Sequence, residues 1–392
     1  MKQTETKQAA TLGVVCISTY LVNYYLRHLL SVLTPQLLET GSFTVEHIGL
    51  LSSAYMLLYA AGQLINGFLG DRVSPKKMVV TGISLAGLSS VAFAFINSGI
   101  LQILCFALLG FGLSMVRGPL MKTISENTKP NHARTICVFF SFASFAGPLL
   151  ASLFAMMNNW RWVFVAAGGV AVFVVAASYF VFGTMERRGQ LTYRSTKGQG
   201  FSSVLEVFKI EKFGFYMVIA CIVEIGAASI SFWIPTYLTE ELGFEKDRAN
   251  LIFSAIATVR SFMPFVALAI FRATKERDIA MMRGTYAVAT VMFVGLLIAS
   301  NRWVSLVFLL VALMAMSCSS ALLWSIYIPG LGKTGKVSSV NGVLDCTGYI
   351  AAALANLLFA GLMGGAGWTA IYILWAGIGA TGLIATFFGG KK

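Results

Sequence analysis

The sequence predicts an all-α integral membrane protein: twelve transmembrane helices in two six-helix halves related by pseudo-two-fold symmetry. Three observations point there. The chain has 392 residues, 57% hydrophobic and 11% charged, where a soluble domain carries roughly 25% charged residues. A spanning helix takes about 20 apolar residues, so this length accommodates about a dozen with short connections. The net charge of +13 is dispersed as small basic clusters in alternate loops. That pattern orients a membrane protein and argues against a nucleic-acid partner.

Taken in order, the apolar runs place spans at 10–33, 47–70, 77–96, 99–124, 133–156, 160–183, 213–238, 249–272, 279–299, 303–327, 336–363 and 366–388. The first follows Met1-Lys2-Gln3, carries Arg27 and continues toward Pro35; it is too long and too polar for a cleaved signal segment. Between the sixth and seventh lies the long polar stretch 184–212, with Arg187, Arg188, Arg194, Lys197, Lys209 and Lys212. The domains are therefore an N-terminal half, 1–183, a cytoplasmic linker, 184–212, and a C-terminal half, 213–392. With both termini in the cytoplasm, Arg161, Lys246, Arg248 and Arg302 fall outside and Arg27, Arg117 and Arg260 lie in apolar runs. The rest of the 29 Lys and Arg are then cytoplasmic, which selects that orientation in a plasma (inner) membrane.

The halves repeat. Leu33-Thr34-Pro35-Gln36-Leu37-Leu38 stands opposite Trp233-Ile234-Pro235-Thr236-Tyr237-Leu238, Phe43 opposite Phe244, and Leu51-Ser52-Ser53-Ala54 opposite Ile252-Phe253-Ser254-Ala255. Trp160 and Trp368 each open the last helix of their half. Parallel repeats of this kind build a known class of secondary transporters.

Gly67-Phe68-Leu69-Gly70-Asp71-Arg72-Val73-Ser74-Pro75-Lys76-Lys77 is the one stretch that reads as a signature. An apolar run ends in a glycine-punctuated turn with an acid and several bases before the next run. Asp71 there can accept from helix N-terminal amides and from cations. Gly-x-x-x-Asp-Arg at such a turn resembles the loop between the second and third helices of major facilitator superfamily transporters. Asp71-Arg72-x-x-Pro75-Lys76 resembles the organophosphate:phosphate antiporter branch. Tyr24-Tyr25-Leu26-Arg27 with Pro35 after it, Phe43 to Gly49, and Trp233-x-Pro235-Thr236-Tyr237-Leu238 are similar to that branch as well. Trp160-Arg161-Trp162-x-Phe164 is shared with anion:cation symporters and does not separate the two. The resemblance extends over essentially the whole chain and implies the major facilitator fold. It also implies gating roles for Gly67, Asp71 and Arg72 and a substrate role for Arg27.

The chain departs from that branch in its cations. Ala227 stands where the antiporters pair a second arginine in the seventh helix, and Gln63 and Ser144 replace basic residues of the second and fifth. A doubly charged phosphate calls for two or more fixed cations in a low-dielectric site. Arg260 is the remaining candidate.

A charge in hydrocarbon costs about 2.5–3.5 kcal/mol or more, so each intramembrane ionisable group needs a reason. Arg27 and Arg260 read as substrate ligands or as structural ion-pair partners, and Arg117 as a side chain that snorkels to the cytoplasmic face. Glu224, near mid-membrane, and Asp345 read as proton carriers or as the acids that neutralise those arginines. Tyr24, Tyr59 and Gln63 complete the expected substrate-binding set, since a hydroxyl or amide facing a cleft can bind an anion. The six cysteines form no Cys-x-x-Cys pair, and the histidines have no ligand partner at helical spacing, so neither a disulfide framework nor a metal site is indicated. No triad, metal cluster or phosphate-binding loop points to an enzyme, an ATP-driven pump or a cofactor.

The expected function is secondary active transport of a small organic anion by alternating access, with an organophosphate exchanged for phosphate as one form. Proton-coupled symport of an organic carboxylate is an alternative, and a transporter-like membrane ligand sensor is one of another class. The expected partners are the anionic substrate and membrane lipids, with the protein a monomer.

Overall fold

The computed structural model describes residues 2–41, 43–157, 159–194, 206–363 and 367–389. Their regular structure is helical, in the order expected. The first six helices are α1 (Lys2–Glu39), α2 (Val45–Arg72), α3 (Pro75–Phe95), α4 (Gly99–Ser114, resuming as Arg117–Asn127), α5 (Pro130–Ala155) and α6 (Trp160–Arg187). Then come α7 (Phe213–Glu224), α8 (Lys246–Ala273), α9 (Asp278–Leu296), α10 (Arg302–Ala321), α11 (Val337–Met363) and α12 (Gly367–Phe388). Among the described residues, ten helices are long and apolar enough to cross a membrane, and Phe213–Ala227 forms a shorter apolar helix.

Local sequence accounts for the boundaries. Thr44 caps α2 by accepting from the His47 amide at 3.2 Å, Pro75 occupies the first turn of α3, and Asn159 accepts from the Arg161 amide to start α6. Proline at a first turn sacrifices only an amide that has no helical partner. Four spans differ from expectation, one of them the tenth, which leaves the α-helix after Ala321 for π-helical turns at Leu322–Tyr327. Helix α1 is 38 residues long, because its polar N-terminal turns continue the helix beyond the apolar run. The fourth span breaks at Met115-Val116. The seventh is not one α-helix: after Glu224 it widens into π-helical turns at Ile225–Ile230 and again at Tyr237–Glu241. Pro235 lies between the two and has no amide to donate to the preceding turn. Such bulges mark functional sites often enough to direct attention to this helix.

The chain divides into two compact units, residues 1–207 with 328–343, and residues 208–327 with 344–392. In the first, α3 packs on α4 and α6, α2 on α4, and α1 on α5 and α6. In the second, α9 packs on α10 and α12, α8 on α10, and α7 on α12. The same neighbours recur, as the internal sequence repeat implies. The aromatic contacts differ in detail: Phe43 packs edge-on against Trp160 at the start of α6, whereas its repeat counterpart Phe244 packs edge-on against Trp303 at the start of α10. Of the stretch expected as a linker, 195–205 lies outside the described residues. Thr184–Arg187 completes α6, and 188–194 returns over the first unit, where the Thr192 amide donates to Asn127 Oδ1 at 2.7 Å. The six cysteines are free thiols.

Candidate functional site

Helices α1 and α2 bring together three of the residues expected to bind substrate. The Arg27 guanidinium carbon lies 4.9 Å from the centre of the Tyr59 ring and 5.8 Å from that of Tyr24. Tyr24 precedes Arg27 by nearly one turn, so both project from one face of α1. Tyr24 is seated because Gly147 on α5 has no side chain: a Cβ there would lie 2.4 Å from that of Tyr24. Tyr59 stacks on Tyr55, one turn earlier on α2, with ring centres 5.7 Å apart. One turn later, Gln63 is 1% exposed, and among the described residues its Nε2 has no hydrogen-bond partner. The Tyr55 hydroxyl is buried and likewise unpartnered. A buried donor left unpaired costs about 1–3 kcal/mol. A cation over two aromatic faces, with such donors on the adjoining helix, is chemistry suited to an anion.

The second charged arrangement is at the Asp71 turn. Asp71 is 2% exposed and its carboxylate meets the first turn of α11, which belongs to the same unit. The Ser339 amide donates to Oδ2 at 2.8 Å and the Ser338 amide to Oδ1 at 3.2 Å. An acid aimed at a helix N-terminus satisfies amides that have no intrahelical acceptor and complements the helix dipole. Lys122, 1% exposed, closes the arrangement, with Nζ 3.3 Å from Asp71 Oδ1 and 3.1 Å from the Asp71 carbonyl oxygen. The line continues to Glu126, 4.0 Å from Lys122, which accepts from the Arg194 amide at 3.0 Å. The Arg194 side chain in turn donates to the Lys333 carbonyl. Arg72, expected as a gating residue, ends α2 half-buried.

Gly67 is what lets α2 reach α11. A Cβ on Gly67 would stand 2.9 Å from Gly342 Cα, and one on Gly342 would stand 2.3 Å from the Gln63 carbonyl oxygen. The backbones therefore touch, as small residues allow between membrane helices. Alanine in a helix normally gains about 1 kcal/mol over glycine. Gly342→Ala is expected to reverse that sign and destabilise by about 1–3 kcal/mol through overpacking. Thermal unfolding of the purified variant in detergent measures it, and a raised midpoint would show that the crossing relaxes freely.

Arg260 occupies the second unit. Its Nε donates to Ser317 Oγ on α10 at 3.1 Å, and a terminal nitrogen donates to Ser231 Oγ at 2.5 Å. Ser231 itself donates to the Gly226 carbonyl at 3.1 Å, inside the π-helical turn that also carries Ala227. No carboxylate among the described residues of this unit pairs with Arg260, so the structure does not bring it together with Glu224 or Asp345. Glu224 ends α7 directly before the π-helical turn and is pressed by Gly348, where a Cβ would lie 2.5 Å from its Cγ. Asp345 is 1% exposed on α11. Arg117, expected to snorkel from a continuous fourth helix, instead starts that span's second part after the break. Among the described residues, no group of three His, Cys, Asp or Glu could hold a metal ion.

Sequence reasoning missed Lys122, Ser338, Ser339, Ser231 and Ser317. Lys122 carried a signal: a lysine four residues before Glu126 at the end of an apolar run. The serines carried none, because their roles come from tertiary contact and, for two, from the main chain.

The family model described as Major Facilitator Superfamily matches residues 16–353. The chain belongs to that superfamily. It is similar to the probable sulfoacetate transporter SauU of Cupriavidus necator, 25% identical over 210 residues, covering 51% of this chain and 48% of the relative. It is also similar to the phosphoglycerate transporter protein of Salmonella typhimurium, 24% identical over 148 residues, covering 36% of this chain and 32% of the relative. The chain thus spans about half of the first and a third of the second. A bacterial homologue of the iron transporter ferroportin, solved in an outward-facing state, superposes with a TM-score of 0.78. It is 11% identical, over 97% of this chain and 100% of that one. That likeness concerns the fold alone.

Proposed function

We propose that this major facilitator protein is a secondary transporter of a small organic anion, working by alternating access in the plasma membrane with both termini cytoplasmic. The observation that carries the reading is the Arg27 cluster: a guanidinium over the rings of Tyr24 and Tyr59, with the unpaired Gln63 Nε2 on the next helix. Arg260, held by two serine hydroxyls and no acid among the described residues, is a further intramembrane cation, in the second unit. With Gln63, Ser144 and Ala227 in place of further cations, a singly charged sulfonate or carboxylate suits the site better than a phosphate dianion. Relatives named for sulfoacetate and for phosphoglycerate support an anion and leave both chemistries in play. The test is uptake of labelled sulfonates, carboxylates and phosphate esters into proteoliposomes. It is run once with phosphate loaded inside and once with a proton gradient. Counterflow dependent on internal phosphate would select exchange of an organophosphate, and dependence on the gradient would select symport. No uptake of any anion, with binding retained, would favour a ligand sensor.

Glu224 enters only in the proton-coupled form. Its place at the α7 break suits a group that changes partners during the cycle. Glu224→Gln is expected to abolish gradient-driven uptake and to spare substrate exchange across the membrane, read in the same vesicles. Loss of both activities together would mark it as a structural partner instead.

A further inference from the structure

At the end of the first unit where α1 begins and α6 finishes there is a cavity of about 370 Å³ that the transport reading does not use. Lys7 and Arg188 line it together with Thr11, Thr184, Phe180 and Val181. Part of its wall is fixed by Gln8, whose Nε2 donates to the Gln190 carbonyl at 2.6 Å. Among the described residues no acid lines the cavity, and no carboxylate pairs with Lys7 or Arg188. By contrast Lys76, nearby on α3, is neutralised by Glu186 at 3.0 Å. Among the described residues the two cations thus line one cavity with no acid paired to either.

What leads away from the cavity is apolar. On α6, Phe173, Ala177 and Phe180 share one exposed face, with Phe173 73% and Phe180 66% exposed. On α1, Val14 is 64% exposed two turns from Lys7. The helices are fastened to each other by the buried Thr19–Ser178 hydrogen bond of 2.8 Å. Along this seam the sequence runs from bare hydrocarbon contact, through Thr11 and Thr184, to Lys7 and Arg188. That is the polarity gradient of a membrane interface, with cations at headgroup depth and apolar side chains at acyl depth.

We propose that this cavity is a binding site for an anionic phospholipid. Lys7 and Arg188 hold the phosphate, the two threonine hydroxyls lie within the headgroup region, and one acyl chain follows Phe180 and Phe173 along α6. A free phosphate would use the cations and leave the apolar track without purpose, so the occupant is the lipid. The positive-charge distribution puts this end at the cytoplasmic leaflet, which carries anionic lipid, and basic pockets between helices on that side recognise such headgroups.

The test reads lipid retention and not uptake, so it stands or falls separately from the transport reading. Purified protein in detergent is titrated with phosphatidylglycerol or with phosphatidylcholine of the same acyl chains, and bound lipid is counted by native mass spectrometry. The wild type is expected to prefer phosphatidylglycerol. Lys7→Gln with Arg188→Gln is expected to lower that affinity about 25-fold, taking one cation at a time as worth roughly fivefold. Thr184→Trp fills the cavity with both charges kept and is expected to weaken phosphatidylglycerol as well. It also covers the case in which the double variant does not fold. Lys246→Gln with Arg248→Gln makes the same charge change on α8 and is expected to leave the preference intact. Retained preference in the Lys7/Arg188 variant, equal loss in the Lys246/Arg248 variant, or displacement of the lipid by millimolar inorganic phosphate would overturn the assignment.

Discussion

Lys122→Met is expected to destabilise the protein by about 3–5 kcal/mol, more than any other single substitution at the Asp71 turn. Lys122 is buried against Asp71 at 3.3 Å, and removing it leaves a buried carboxylate supported only by the Ser338 and Ser339 amides among these contacts. Asp71→Asn costs less, because it removes the charge and keeps a carbonyl that can still accept one amide; about 1.5–3 kcal/mol is the scale of a hydrogen bond to a charged group. The diagnostic variant combines them. With both charges gone, neither is left buried and uncompensated, so Asp71→Asn/Lys122→Met is expected to be more stable than Lys122→Met alone. Thermal unfolding of the four proteins in one detergent measures the cycle. Additive losses would mean that the two side chains do not share their energy in the folded state. Since the turn also holds α2 against the first turn of α11, we expect Asp71→Asn to cripple transport while leaving substrate affinity nearly intact. An equal fall in affinity would make Asp71 part of the binding site and not of a gate.

Arg27→Ala is expected to weaken substrate binding ten- to a hundredfold. The estimate follows from the loss of one charge-assisted contact in a desolvated site, about 1.5–3 kcal/mol. Arg27→Lys is expected to fall short of wild type as well. It keeps the charge but loses the planar fork, which lies over the Tyr59 ring and has the geometry for a two-point contact with an anion, and lysine supplies neither. Tyr59→Phe separates the contributions: the ring, and with it the cation–π contact of about 0.5–2 kcal/mol, survives while the hydroxyl is lost. Equilibrium binding to purified, folded variants is the measurement. Wild-type affinity in both Arg27→Ala and Arg27→Lys would reduce Arg27 to a structural role.

How much of this was legible follows from what kind of signal each feature leaves. The helices were, since apolar runs of spanning length are a local property, and so was the pairing of Arg27 with Tyr24, which needs only helical spacing. The chemistry of the Asp71 turn was half legible. An acid among glycines and bases announces that it will cap something, but nothing local says that the amides belong to Ser338 and Ser339, 267 and 268 residues later. The break at Met115-Val116 and the π-helical turns after Glu224 left no trace in hydropathy, which does not register a change of one residue per turn. The serines around Arg260 were illegible for a related reason. A serine in an apolar helix usually returns its hydroxyl to its own backbone, as Ser317 does to the Leu313 carbonyl at 2.8 Å, and only packing shows that it also receives a guanidinium.

The central claim, that Arg27 makes this protein select anions, is tested most directly by charge discrimination. A sulfonate or carboxylate that binds is compared with its neutral amide or alcohol analogue, on wild type and on Arg27→Ala, by titration calorimetry at one pH and ionic strength. The account predicts that wild type prefers the anion by at least about tenfold and that most of this preference vanishes in Arg27→Ala. The same preference in both proteins would contradict it.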